Sequence, residues 1–212
     1  FFQLDSDDKI PPYAINEIIN KISENPKAEF IYGTTMHFSK NSSFLMPPSK
    51  NVEVLCTSAL FSSQMPIKIP MYFRIGGFTS ELKYFAADWD FWLSVYEKNV
   101  VGTQTKEILY HRRNHNKNVI ARHMSQWPEV INIIINRHPK FFCNEKRKRK
   151  ALYSVYEKLA RHYRKNRRRK KAAFYAKIAL QNGPSTTALQ EIFKEEKMTK
   201  LRYAIRLVGK LL

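Results

Sequence analysis

Phe1-Phe2-Gln3-Leu4-Asp5-Ser6-Asp7-Asp8, followed by Ile10-Pro11-Pro12, is the stretch that decides the fold class. A mostly apolar run ends in three carboxylates, as a buried strand would if it delivered an acidic cluster at its carboxyl end. In open α/β sheets ligands bind at that edge. Pro11-Pro12 suits a helix start, Ile15, Ile18, Ile19 and Ile22 follow at helical spacing, and Asn25-Pro26 ends the run. Glu29 to His37, rich in β-branched and aromatic residues, predicts the next strand. Strand, helix and strand in this order make a βαβ-like unit, which predicts an α/β fold with a parallel or mixed sheet.

Three aspartates within four residues repel one another. A divalent cation that prefers oxygen ligands, Mn²⁺ or Mg²⁺, would relieve the repulsion and bridge to a diphosphate. The same residues admit a second reading: a solvated Asp-rich turn whose Asp8 caps the following helix.

Downstream, residues 38–52 read as a loop and 53–75 as mixed apolar sequence, broken by Gly76-Gly77. Ala87 to Lys98 predicts a helix with Trp89, Trp92, Leu93 and Tyr96 on a broad apolar stripe. Asp88 and Asp90 fall in its first turn, Asp90 as a helix-start charge. Val101 to Tyr110 predicts a strand, 111–118 a basic loop, and a helix follows around 125–137. From Glu145 the chain changes character: 147–165 and 168–181 predict a helical hairpin turning near Asn166, with further helices over 186–197 and from Thr199 onward.

The net charge of +19 is unevenly spread. Residues 1–144 hold 16 basic and 13 acidic side chains, whereas 145–212 hold 21 and 5. This predicts a near-neutral domain over 1–144 and a basic α-helical tail over 145–212 whose partner is anionic. Leu201, Ile205, Val208 and Leu212 form one stripe flanked by Arg202, Arg206 and Lys210, the pattern of a helix lying on an anionic membrane surface. Nucleic acid is the competing partner, but no base-reading motif is present. Cys56 and Cys143 match neither a metal spacing nor a disulfide framework, so free thiols in a reducing, cytoplasmic compartment are expected. No stretch approaches the ~18 apolar residues of a membrane span.

Four segments together resemble the family 2 glycosyltransferases of the GT-A fold. Phe2-Gln3-Leu4-Asp5-Ser6-Asp7-Asp8 resembles their DxD segment, and Gly76-Gly77-Phe78 their acceptor-site glycine motif. Ala87-Asp88-Trp89-Asp90-Phe91-Trp92-Leu93 resembles their ED-W-D-x-W-L segment, with Ala87 in place of the Glu, and Tyr110 to Asn118 resembles their late Y-R-x-H-x-x-N segment.

The resemblance covers residues 1–118 and implies a doubly wound, mixed-sheet GT-A domain that lacks its N-terminal, base-gripping half in this polypeptide. It implies a hexosyltransferase-like, inverting, metal-dependent transfer of sugar from a nucleotide-diphosphate sugar to a glycan or lipid-linked acceptor, as in bacterial surface polysaccharide synthesis. Asp5 and Asp7 are then expected to hold the nucleotide sugar. Asp7, Asp8 and His115 would hold Mn²⁺ or Mg²⁺, and Asp88 would be the general base. Gly76, Gly77 and Trp89 would line the acceptor site. Residues 1–212 alone are expected to be inactive, and an inactive remnant is the alternative. A lipid-linked acceptor would place the protein peripherally on the inner face of the cytoplasmic membrane.

Overall fold

The computed structural model describes residues 1–49, 51–83, 85–114 and 122–195. The protein is a mixed α/β chain that divides into two units, 1–120 and 121–212.

The first unit contains β1 (Phe30–Tyr32), β2 (Thr35–Phe38), β3 (Ser43–Met46), β4 (Gly102–Gln104) and β5 (Tyr110–Arg113). Its helices are α1 (Ala14–Glu24), α2 (Ile69–Ile75) and α3 (Ala87–Glu97), with a 3₁₀ turn over Val52–Cys56. The strand expected over Glu29 to His37 is two strands, broken at Gly33, where an added Cβ would lie 2.9 Å from the Thr105 side chain. β1 pairs in parallel with β4, and β2 lies between antiparallel β3 and parallel β5. Part of the predicted 38–52 loop is thus strand β3, and the predicted strand over Val101 to Tyr110 is β4 with the start of β5.

The opening segment corrects one expectation. Residues 1–5 form no strand; only Phe1 pairs, exchanging bonds with Ile67 through its amino group and carbonyl at 2.9 and 2.8 Å. Helix α1 forms where its apolar spacing predicts, but it buries only Ala14, against Ile31 and Leu109 with Phe2, Ile10 and Ile18 alongside. Ile15, Ile19 and Ile22 stay exposed.

The larger core gathers around α3. Trp89, Phe91, Trp92 and Leu93 are all buried, and Trp92 packs on Phe30 and Phe61 at ring separations of 5.1 and 5.0 Å. At roughly 1.5–3 kcal/mol per large buried side chain, this face holds the helix in place. It outweighs the strain at Ala86, whose φ of +68° costs on the order of 1–3 kcal/mol in a non-glycine residue.

The second unit is helical: α4 (Trp127–Arg137), α5 (Pro139–Phe142), α6 (Glu145–Lys165) and α7 (Arg169–Asn182), then a helix over 187–195. Asn144 caps α6, its side-chain oxygen accepting the Lys146 and Arg147 amides at 3.0 and 3.4 Å. Val155, Leu159, Ala160 and Tyr163 meet Ala172, Ala173, Ala176 and Ala179, and the alanines let α6 and α7 approach closely. Tyr175 stacks on Tyr156 and Tyr163. The expected boundary at 144/145 moves to 120/121 because α4 and α5 bury Trp127, Ile131, Ile134, Phe141 and Phe142 with this hairpin. The predicted helix from Thr199 onward lies outside the described residues.

Gly76 and Gly77 end α2 at φ +97° and +61°, their amides returning to the Phe73 and Tyr72 carbonyls. A Cβ on Gly77 would fall 2.7 Å from the Tyr72 ring, whereas one on Gly76 meets nothing within 4 Å. Gly76→Ala should therefore cost about 1 kcal/mol, from backbone conformation alone. Gly77→Ala should cost clearly more, and urea unfolding of the two variants measures the difference.

Candidate active site

The acidic segment closes a turn, with the Asp8 amide donating to the Asp5 carbonyl at 3.1 Å. Lys9 and His111 exchange backbone bonds at 3.0 and 2.9 Å, which lays the turn against β5. Tyr110, 1% exposed, fastens it. Its hydroxyl donates to Asp8 Oδ2 at 2.7 Å and accepts the Asp5 amide at 3.2 Å. The Arg113 amide donates to Asp8 Oδ1 at 2.6 Å, and Arg113 Nε donates to the Asp7 carbonyl at 2.9 Å. Burial, reinforced by the bond to Asp8, pushes the Tyr110 hydroxyl well above its ordinary pKa, so it remains a donor. Asp5 accepts amide bonds on both oxygens, from Gln3 at 3.0 Å and from buried Gln64 at 2.9 Å. Asp8 does not cap α1, which has no side-chain cap.

Asp88 sits in the first turn of α3, one residue past the start. It lines a cavity of about 300 Å³ with Arg112, His37, Phe61, Ser62 and Met46. One Asp88 oxygen accepts the Trp89 amide at 2.9 Å, so the residue tightens the helix start while facing the cavity. Although part of Asp88 reaches solvent, its surroundings are dense, and desolvation raises the carboxyl pKa against the Trp89 amide and the Arg112 charge. The β2–β5 register sets His37 opposite Arg112. His37 is buried, stacked on Phe44 at 4.9 Å, with Nδ1 3.2 Å from Asn114 Oδ1.

The acidic turn and Asp88 share two supports. Strand β5 supplies Tyr110 and Arg113 to the turn and Arg112 to the cavity. The 58–65 segment supplies Gln64 to Asp5 and Ser62 to the cavity, and the Ser62 hydroxyl donates to Gln64 Oε1.

Other expected residues fall elsewhere. Trp89 cannot offer an acceptor a ring face: it is 2% exposed, and its indole N–H donates to the Leu55 carbonyl at 2.7 Å. Gly76 and Gly77 cap α2 and do not line the Asp88 cavity. Asp90, expected as a helix-start charge, is 0% exposed and engaged by the surrounding fold, because a buried carboxylate must be partnered. His115 lies outside the described residues. His111 has its pKa lowered by burial and by Lys9. His37 and Gln64 carry no local sequence signal, and Tyr110 and Arg112 fall in the 110–118 segment without a role assigned to either; strand register and long-range bonds bring all four to the site.

Among the described residues no three His, Cys, Asp or Glu side chains converge as a metal cage. Divalent cations that also bind a substrate diphosphate need only one or two protein carboxylates. The turn fits that mode, since Asp5 and Asp8 are anchored by protein donors and fix the backbone at Asp7. Both Asp8 oxygens accept short bonds, one each, so Asp8 anchors the turn. No protein-family model and no curated protein sequence matches the chain.

Tyr110→Phe leaves an Asp8 oxygen and the Asp5 amide without their partner. It should cost about 1–3 kcal/mol in denaturant unfolding. Asp88→Asn tests the raised carboxyl. A folded-state pKa above the unfolded value means that the ionised carboxylate opposes folding once pH exceeds the unfolded value. The variant should therefore be more stable than wild type at pH 7 and above, and the gap should close as pH falls below about 4. Thermal unfolding across that range checks the sign.

Proposed function

We propose that the first unit belongs to a metal-dependent, inverting glycosyltransferase of the family 2, GT-A type. The observation that carries the reading is the shared support of two acidic features. The turn over Asp5–Asp8 and the desolvated Asp88 carboxyl are tied to the same strand and the same 58–65 segment. Transfer from a nucleotide-diphosphate sugar needs both: an acidic turn at the diphosphate and a base near the acceptor hydroxyl.

In this reading Asp5 keeps the turn shaped for the nucleotide sugar, and Asp7 presents the carboxylate that holds Mn²⁺ or Mg²⁺. When bound, the cation neutralises charge on the departing nucleoside diphosphate. Asp88 takes the proton from the acceptor hydroxyl as that oxygen attacks the anomeric carbon, and configuration inverts. Desolvation suits Asp88 to the task, because a raised pKa makes the carboxylate a stronger base. Arg112, exposed on β5 beside the cavity, offers a positive charge to an acidic or phosphate-bearing acceptor. The acceptor is a glycan or lipid-linked glycan, which would place the protein at the inner face of the cytoplasmic membrane. No helix among the described residues is long and apolar enough to cross a membrane.

The test uses the full polypeptide that contains these residues, with nucleotide sugars titrated calorimetrically in the presence of Mn²⁺. Asp7→Ala should abolish metal-dependent binding. Asp88→Ala should spare binding and lower turnover by about 10²–10⁴-fold. Full turnover by Asp88→Ala would remove it as the base.

A further inference from the structure

The helical unit contains a polar cavity of about 350 Å³ lined by Arg122, Ser125, His162, Asn166 and Arg168, with Met124 and Tyr163 completing the wall. We propose that this cavity binds a phosphoryl group, carried as a monoester or diphosphate; the inference is independent of the function assigned to the first unit.

Charge is the first support. Arg122 and Arg168 both face the cavity, and no carboxylate lines it. Among the described residues neither guanidinium is ion-paired, whereas nearby Arg161 and Arg164 are committed to Glu157 and Glu195 at 2.8 and 2.6 Å. Two guanidiniums lining one cavity without an acid repel each other, and an anion between them turns repulsion into attraction. Guanidinium forks match phosphate oxygens in geometry, and a single carboxylate has too few oxygens to engage two forks fully.

The second support is the wall of the cavity, built on a fixed turn. Arg167 has φ +58°, and the amides of Arg167 and Arg168 return to the Arg164 and Tyr163 carbonyls, each at 2.9 Å. Asn166 Nδ2 donates to the His162 carbonyl at 3.0 Å and lies 3.1 Å from His162 Nε2, which ties two lining residues together. Arg168 is also the N-cap residue of the 14-residue helix α7, and no side chain caps that end. Its first-turn amides and the positive end of its dipole add to the attraction for an anion. The Ser125 hydroxyl supplies a further donor at the rim.

Calorimetric titration of the full chain with pyrophosphate tests the site. The R122Q/R168Q variant should weaken binding about tenfold or more, whereas K146Q/K170Q, which removes the same charge from exposed positions outside the cavity, should stay within about twofold. All four residues are exposed, and circular dichroism verifies that both variants fold. Sedimentation with phosphatidylcholine vesicles doped with phosphatidic acid separates two sources of the group. If R122Q/R168Q also loses the vesicles, the phosphoryl group is displayed on a membrane; if it keeps them, the ligand is soluble; the site stands in both cases. Absence of saturable pyrophosphate binding, equal losses in the two variants, or a cavity variant that loses only single-stranded RNA would overturn it.

Discussion

The hydroxyl of Tyr110 is shared between two groups of the acidic turn, donating to the Asp8 carboxylate and accepting the Asp5 amide. Everything proposed for the first unit depends on that junction. Three aspartates in a turn would otherwise spread apart by mutual repulsion. A buried phenol, held protonated by its surroundings, and the Arg113 amide draw Asp8 onto β5 instead. The turn is therefore shaped by hydrogen bonds from the fold, and the backbone at Asp7 is fixed through its carbonyl by Arg113.

Helix α3 gives a contrasting solution for two carboxylates only two positions apart. Their directions around the helix separate them, Asp88 to the cavity and Asp90 to the core. Asp90 is partnered there, as a buried charge must be. Asp88 meets a desolvating wall that raises its carboxyl pKa, opposed by the Trp89 amide and the charge of Arg112. The aromatic face of α3 supplies the burial that tolerates both the left-handed Ala86 and the desolvated Asp88.

Much of the helical framework was legible in the sequence, because helical periodicity is local. Helices α3, α4, α6 and α7 begin and end within a few residues of where apolar spacing places them. The acidic turn was legible as chemistry, since three adjacent carboxylates need compensation wherever they lie. Its compensation was not legible: Tyr110 and Arg113 are over a hundred residues away, and only the Lys9–His111 pairing brings them in. For the same reason His37 carried no signal until the β2–β5 register set it opposite Arg112. Trp89 misled in the other direction. A tryptophan beside a candidate base suggests a sugar platform, yet its N–H is satisfied inside the core by the Leu55 carbonyl. The opening residues misled as well, because a strand needs neighbours along its length and only Phe1 finds one.

The central claim is that the acidic turn and Asp88 form one site that takes a divalent cation with a nucleoside diphosphate. Paramagnetic broadening by Mn²⁺, added with a nucleoside diphosphate and read from backbone amide resonances, tests it most directly. The account predicts that broadening is strongest over Asp5 to Asp8, extends to Asp88 and Arg112, and is lost in Asp7→Ala. Broadening that spares the acidic turn, or that persists unchanged in Asp7→Ala, would contradict it.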